Sequence, residues 1–431
     1  MINFHIHSAW YRGFVLTALI AAALFQCPDA CAKPAAVGQE VKFEVPGVLR
    51  AADVFPPELL SGPHYRVRDR VVSYGFMHHY VVDSDYGPFE VTGDYALRKL
   101  IREIGAIAAL QEIKKGEAYI NGIRHAARQP IEFGASLITD PVDTISGVPK
   151  GLASLFENVK TGLTAQAKPG EDDKLAQALA VSANKRQLAQ QLGVDVYSSN
   201  KVLQKELNGI AWATSLGSLT VSAALAPVGG PAVLAVSLTR TAQQLHDMVN
   251  QYPPQKLFQI NLEKLRAMGI SEDLALRFLN YPIYTPTQDT IIVSSLEALP
   301  ATMGREAFIR DSLTADSEES ANYFTFVAQM LRGYSSKISP IREISVDGPL
   351  VFAAASNGTT MIPLPLDYAM WTQKAGSRVP AAVAAHKAAN PGSKKYEFWI
   401  TGTASKLVRD QAAKKDIKCV EKAGSQLDLV Y

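Results

Sequence analysis

Cysteine is scarce in this chain, with three among its 431 residues. Cys27 and Cys31 lie in an N-terminal segment that has the features of a secretory signal, which leaves Cys419 in the mature protein. A lone thiol cannot form an intramolecular disulfide, so packing must hold the fold together. We expect Cys419 to serve as a small buried hydrophobic side chain rather than as a nucleophile.

The common catalytic signatures are also missing. The sequence contains no G-x-S-x-G, no H-E-x-x-H, no G-x-x-x-x-G-K-[ST] and no G-x-G-x-x-G. Their absence argues against the commonest serine hydrolases, zinc peptidases, P-loop NTPases and dinucleotide-binding enzymes. It does not exclude a catalytic triad, because triads assemble from residues that are distant in sequence. The sequence therefore leaves open whether the protein is an enzyme, and it indicates no cofactor.

Neither sign of charge is in excess. The chain has 43 Lys and Arg residues against 41 Asp and Glu residues, a formal net charge of +2. Binding to nucleic acids depends on clustered basic residues that displace counterions from phosphates. We therefore predict no nucleic-acid partner.

The first 32 residues have the pattern of a signal peptide. Arg12 precedes an apolar run at residues 14–25, and Ala30 and Ala32 form an A-x-A cleavage site. The run is too short to span a bilayer comfortably, since a membrane helix needs about 20 apolar residues. We predict cleavage after Ala32 and export of a mature chain that begins at Lys33, to the periplasm or the exterior of a bacterial cell.

The rest of the chain divides into four regions. We predict an α+β fold that is predominantly α, in which an N-terminal antiparallel β-meander precedes a helical central domain and a small C-terminal α/β domain follows it. The regions are an extended arm or linker at 33–63, the meander with a long helix and short Gly/Pro-punctuated helices at 64–165, the helical domain at 166–340, and the α/β domain at 341–431.

Three local patterns support this division. Apolar residues recur every three or four positions from Leu97 to Ile113, which predicts a helix that begins at Asp94. Asn357-Gly358 lies between two apolar runs and predicts a hairpin in which both turn residues have positive φ. The strand–turn–helix–strand order that follows predicts parallel strand pairing through a right-handed crossover.

One long uncharged stretch, residues 207–239, lies in the middle of the chain. Within it, residues 210–238 are rich in Ala, Gly, Ser and Thr and contain Pro227 and Pro231, which would break a single spanning helix. The stretch therefore predicts an apolar hairpin. A buried hairpin in the helical domain is the first interpretation, and a membrane-inserting hairpin and a plain transmembrane span are the alternatives.

The sharpest cluster of reactive side chains lies at residues 78–85. His78, His79, Asp83 and Asp85 are weak catalytic candidates, because imidazole and carboxylate groups perform acid–base chemistry and bind divalent metals. Strand geometry places His78 and His79 on opposite faces, so at most one of them joins a given site. A solvated strand and turn is the simpler interpretation, and we predict no metal.

A second candidate set lies between a predicted strand and a predicted helix. Free N–H groups at a helix N-terminus attract anions. The weak anion-binding candidates there are Gly402, Thr403, Ser405 and Lys406. The alternative is that Thr403 or Ser405 caps the helix.

These features lead to one main hypothesis of function and two alternatives. The main hypothesis is an exported bacterial envelope protein with a non-enzymatic binding or structural role, whose partner is a membrane surface, reached through residues 210–238, or another envelope protein. The alternatives are a hydrolase-like enzyme with a His/Asp site near residues 78–85 and a membrane-inserting, toxin-like protein.

Overall fold

Two main β-sheets and a set of helices form the described part of the chain. The computed structural model describes residues 43–116, 119–121, 171–215 and 240–429. The combination of an antiparallel N-terminal sheet, many helices and a mixed sheet near the C-terminus confirms the predicted α+β class. The predicted signal peptide, residues 1–32, lies outside the described residues.

The N-terminal sheet is antiparallel and is built around one strand. Its strands are β1 (Val48–Arg50), β2 (Ser61–Gly62), β3 (Tyr65–Val67), β4 (Arg70–Ser73), β5 (His78–Ser84) and β6 (Phe89–Thr92). β5 pairs with β4 and β3 along one edge and with β6 along the other. Burial alternates along β5, so His78 joins Tyr80 and Val82 on the buried face while His79 lies on the opposite face.

Helix α2 connects this sheet to the helical region. A short helix α1 (Ala51–Val54) comes earlier, and Gly93 then leads from β6 into α2 (Asp94–Lys115), as the apolar spacing predicts. The first half of α2 packs Leu97 against the buried face of the sheet, and the second half packs Leu110 against the helices that follow. The N-terminus of α2 therefore lies at the end of β6, beside the start of β5.

A succession of helices occupies the middle of the chain. They are α3 (Glu171–Leu192), α4 (Lys201–Ser215), α5 (Arg240–Gln251), α6 (Pro254–Ala267), α7 (Glu272–Leu279), α8 (Pro286–Glu297), α9 (Arg305–Ser312) and α10 (Glu318–Lys337). Capping boxes at Thr285 and Ser317 define the first residues of α8 and α10. Phe278, Phe308 and Leu331, all fully buried, belong to the core that these helices share with the C-terminal sheet.

The C-terminal sheet is mixed, with strand order β13-β11-β9-β8-β7. Its strands are β7 (Ile341–Asp347), β8 (Leu350–Ala355), β9 (Thr359–Leu364), β11 (Lys395–Ile400) and β13 (Ile417–Val420). β7, β8 and β9 pair antiparallel, and β9, β11 and β13 pair parallel, which confirms the predicted parallel pairing.

Helices and a short second ribbon complete the C-terminal region. Helix α11 (Gln373–Ala389) lies between β9 and β11, and helix α12 (Lys406–Ala413) lies between β11 and β13. A two-stranded parallel ribbon pairs β10 (Tyr368–Ala369) with β12 (Thr403–Ala404), and a last short helix is α13 (Ala423–Gln426).

The turn between β8 and β9 corrects one detail of the prediction. The hairpin at Asn357-Gly358 is present, but Gly358 alone has a positive φ, of +79°. The side chain of Asn357 accepts a hydrogen bond from the Thr359 N–H at 3.0 Å. This Asx turn gives the Thr359 N–H a hydrogen-bond acceptor, and it does not require a positive φ at Asn357.

The predicted apolar hairpin is described only at its beginning. Residues 210–215 belong to α4, where Ile210, Ala211 and Ala213 are fully buried. Residues 216–238 lie outside the described residues, so the choice between a buried and a membrane-inserting hairpin stays a prediction. Within the described ranges, no helix combines the length and the apolar character that a membrane span requires.

Candidate functional site

A buried cluster of polar side chains joins three separate parts of the fold. His78 is the first residue of β5, Asp94 is the first residue of α2, and Asp367 lies in the connection between β9 and β10. Tyr80, two residues along β5 from His78, points to the same side of the sheet and is fully buried. The cluster therefore forms where the N-terminal sheet, helix α2 and the C-terminal region meet.

Hydrogen bonds connect every member of this cluster. His78 Nδ1 lies 2.9 Å from Asp94 Oδ1, and the Tyr80 hydroxyl donates to the same oxygen at 2.6 Å. Asp367 accepts the backbone N–H of His78 at 2.9 Å and the backbone N–H of Asp94 at 3.1 Å. The second of these bonds satisfies a free N–H at the N-terminus of α2, where the helix dipole favours a negative charge.

Burial and the nearby charges shift the pKa values of this cluster. Burial, followed by the charge of Asp94, raises the pKa of Asp367 to about 7, although backbone N–H groups and His78 act in the opposite direction. Burial lowers the pKa of His78, but the hydrogen bond and charge of Asp94 outweigh it, so the net shift is upward. Burial and Asp94 raise the pKa of Tyr80 as well, which keeps its hydroxyl a donor. The cluster thus retains protons near neutral pH.

The same atoms form a set that could ligate a metal ion. His78, Asp94 and Asp367 each offer one ligand atom, and these atoms lie within 4.8 Å of one another. One imidazole and two carboxylates suit divalent zinc or manganese. His78 and Asp94 are already hydrogen-bonded, so a bound cation would take the place of the proton between them. The hydrogen bonds among these groups need protons alone, so this geometry does not require a metal.

An apolar cavity of about 480 Å³, which we call the chamber, adjoins this cluster. Met77, Gly93 and Leu366, which precede His78, Asp94 and Asp367 in the chain, line it. Its aromatic lining residues are Phe76, Tyr95, Tyr323, Phe326, Trp371 and Phe398. The walls come from the residues just before β5, from α2, α10 and α11, and from the connection after β9. The bonds of Asp367 therefore link three of the segments that line the chamber, namely the residues before β5, the start of α2 and the connection after β9.

A smaller polar cavity of about 100 Å³ lies on the other side of one wall of the chamber. Tyr95, Asn322 and Phe326 line both cavities. The rings of Tyr95 and Phe326 pack edge to face with centroids 4.7 Å apart, so they separate the two spaces. Lys99 and Asp195 line the smaller cavity, whose polar walls suit water better than an apolar molecule.

The structure brings one of the four predicted catalytic candidates into the cluster, namely His78. His79 lies on the opposite face, where its Nδ1 is 3.1 Å from the Thr92 hydroxyl. Asp83 is exposed and pairs with Arg68 at 2.7 Å, and Asp85 is exposed and lies 2.9 Å from His64. The carboxylates that accompany His78 are therefore Asp94 and Asp367 instead of Asp83 and Asp85.

The predicted anion-binding candidates have partners within the protein. Ser405 accepts the Val408 N–H at 3.1 Å, which makes it the N-cap of α12, and it donates to Glu44 at 2.7 Å. The N–H groups of Gly402 and Thr403 donate to backbone carbonyls of the connection after β9. Lys406 pairs with Asp410 at 2.7 Å. The donors that an anion would use at this turn are thus already engaged.

The sequence-based interpretation misses three of the cluster residues, namely Tyr80, Asp94 and Asp367. Asp94 was recognised as the start of a helix, and its position directly after a strand that follows His78 was a usable signal. Asp367 carries no local signal, since it lies 289 residues from His78 and follows no recognisable motif.

Comparison with known proteins adds no further information on the site. No protein-family model, no curated protein and no solved structure matches the chain. The interpretation of the site therefore depends on its geometry and chemistry.

Replacement of Asp367 by Asn tests the burial of this carboxyl group. Its pKa lies near 4 in an unfolded chain and rises to about 7 in the fold. The folded state therefore holds a proton that the unfolded state releases between these two pH values. We expect wild-type stability to fall as pH rises through this window, by up to about 1.4 kcal/mol per pH unit. Urea unfolding at a series of pH values should show that Asp367→Asn lacks this part of the slope.

Asp69→Asn provides the control, because Asp69 is exposed in the connection between β3 and β4. This variant should keep the wild-type dependence of stability on pH.

The pKa of His78 is raised in the fold, as that of Asp367 is, so His78 also makes the wild type less stable as pH rises. Its contribution extends the loss of stability above about pH 6.5. Parallel pH profiles for wild type and Asp367→Asn would contradict the assignment of the retained proton to Asp367.

Proposed function

We propose that this chain is an exported envelope protein that binds an apolar small molecule in the chamber. The observation that supports this most directly is the chamber itself, a cavity of about 480 Å³ with mainly apolar and aromatic walls. Small-molecule sites typically have volumes of about 300–1,000 Å³ and such linings. Protein interiors are otherwise packed with few voids, and an unfilled cavity forfeits dispersion contacts. A cavity of this size is therefore best explained by a ligand that fills it.

Export and the division into domains are parts of the same proposal. Cleavage after Ala32 would deliver the mature chain to the periplasm or the exterior, and protein purified from its own cells with residues 14–25 intact would exclude this. We assign the β-meander, the helical domain at 166–340 and the α/β domain at 341–431 as the units that fold around the chamber. An apolar ligand is poorly soluble in water, so the partner that supplies or receives it is a membrane surface or another envelope protein.

A chamber-filling variant tests the binding function. Ala96 lies on α2, lines the chamber and is partly exposed. Ala96→Trp should place an indole in the chamber and weaken the binding of an uncharged apolar probe, N-phenyl-1-naphthylamine, by at least about tenfold. The probe's fluorescence increases in apolar surroundings, so a titration measures this affinity directly.

The matched control is Ala385→Trp, on the exposed face of α11 and away from the chamber. It should bind the probe as the wild type does. Thermal unfolding followed by circular dichroism confirms that both variants are folded. Ala96→Leu, which places a smaller side chain in the chamber, should reduce the affinity for the probe by an intermediate amount. Absence of probe binding by the wild type, or equal binding by Ala96→Trp, would overturn the proposal.

Acid–base catalysis at His78 is the second candidate function. The observation that favours it is the pairing of His78 Nδ1 with Asp94, which leaves the buried Nε2 without a hydrogen-bond partner among the described residues. A histidine that acts as a general base typically has a carboxylate hydrogen-bonded to one ring nitrogen, while the second ring nitrogen is free to accept a proton. It predicts hydrolysis of p-nitrophenyl esters that is lost in His78→Gln and retained in His79→Gln. No turnover, or equal turnover by the two variants, would exclude this candidate.

A further inference from the structure

The charged residues of the chamber are few and are distributed unevenly. Lys374 and Arg378 lie one turn apart on α11, and Glu319 lies near the start of α10. All three side chains are exposed while they line the cavity, which places them at its mouth. The mouth therefore carries two positive charges on one side, one negative charge on the other, and a net charge of one positive unit.

The two cations lack counter-ions in the described part of the chain. Neither Lys374 nor Arg378 forms an ion pair there, whereas Lys406 and Arg409 on the neighbouring helix α12 each pair with an acidic residue. Like charges four residues apart on a helix repel each other and destabilise the helix slightly. An anion bound between them would remove this repulsion.

The same helix carries the apolar wall next to these cations. Ala375 and Val379, each following one of the two cations in sequence, line the chamber. Trp371 extends this wall just before the helix begins. An apolar surface that ends at a pair of cations matches a molecule with an apolar body and an anionic end.

We propose that the ligand of the chamber is a long-chain carboxylate. Its hydrocarbon chain would occupy the apolar space, and its carboxylate would lie at the mouth between Lys374 and Arg378. A single negative charge matches the net charge of the mouth, since Glu319 disfavours a more highly charged head group. This inference rests on the proposed binding function and adds the chemical class of the ligand.

The alternative role for these side chains is structural. Lys and Arg often lay their methylene stems over apolar surface while the charged ends stay in water. In that case the stems would shield the mouth, and a neutral ligand would bind as well as an anionic one. The two roles therefore differ in whether the charge of the ligand matters.

A competition experiment measures the effect of ligand charge. N-phenyl-1-naphthylamine is bound first and is then displaced by hexadecanoate or by hexadecan-1-ol, which has the same chain without the charge. We expect the wild type to bind hexadecanoate about five- to tenfold more tightly than the alcohol, as partly exposed ion pairs allow. In the double variant Lys374→Gln/Arg378→Gln, hexadecanoate should lose this advantage while the affinity for hexadecan-1-ol stays unchanged.

A matched double variant, Arg70→Gln/Lys394→Gln, removes two exposed cations that do not line the chamber. It should keep the wild-type preference for hexadecanoate. Equal wild-type affinities for the two ligands, or an undiminished preference in Lys374→Gln/Arg378→Gln, would overturn the inference while the binding function stands. Failure of both ligands and of the probe to bind the wild type would instead reject the binding function itself.

Discussion

The Asp367 carboxylate accepts the backbone N–H groups of His78 and Asp94, and the candidate site depends on these bonds. They connect the first residue of β5 and the first residue of α2 to a loop of the C-terminal sheet. Because both donors are main-chain groups, the bonds fix the positions of whole elements rather than of single side chains. Without Asp367, two N–H groups at this junction would lack their acceptor, which is unfavourable in a buried place.

Burial of the Asp367 carboxylate is energetically unfavourable, but its hydrogen bonds fix the arrangement of the elements that they join. Burial raises the pKa of Asp367 to about 7, so the fold holds a carboxyl group under conditions that oppose its charge. A hydrophobic contact could join the same elements without this cost. The bonds, however, are directional, and they hold β5, α2 and the loop after β9 at a fixed separation. Met77, Gly93 and Leu366, which adjoin the bonded residues in sequence, line the chamber.

Local patterns in the sequence predicted the helices and strands, whereas the site forms through contacts between residues that are far apart in the sequence. The alternation of β5 predicted that His78 and His79 lie on opposite faces, and the apolar spacing from Leu97 onward located α2, because both depend on neighbouring residues. Which of the two histidines is buried came from the structure. Asp367 could not be predicted, since its partners are 273 and 289 residues away. The chamber could not be predicted for the same reason. Its lining residues, from Phe76 to Val408, come from separate elements and form no local sequence pattern.

Hydrogen exchange in an Asp367→Ala variant tests the central role of this carboxylate most directly. Amides at residues 76–80 and 93–97 should lose protection by at least about tenfold, while those of α10 at residues 324–334 keep the wild-type rates. Asp83→Ala, at the exposed end of the same strand, should change neither region. Unchanged protection at residues 76–80 and 93–97 would contradict the account, as would an equal loss in α10.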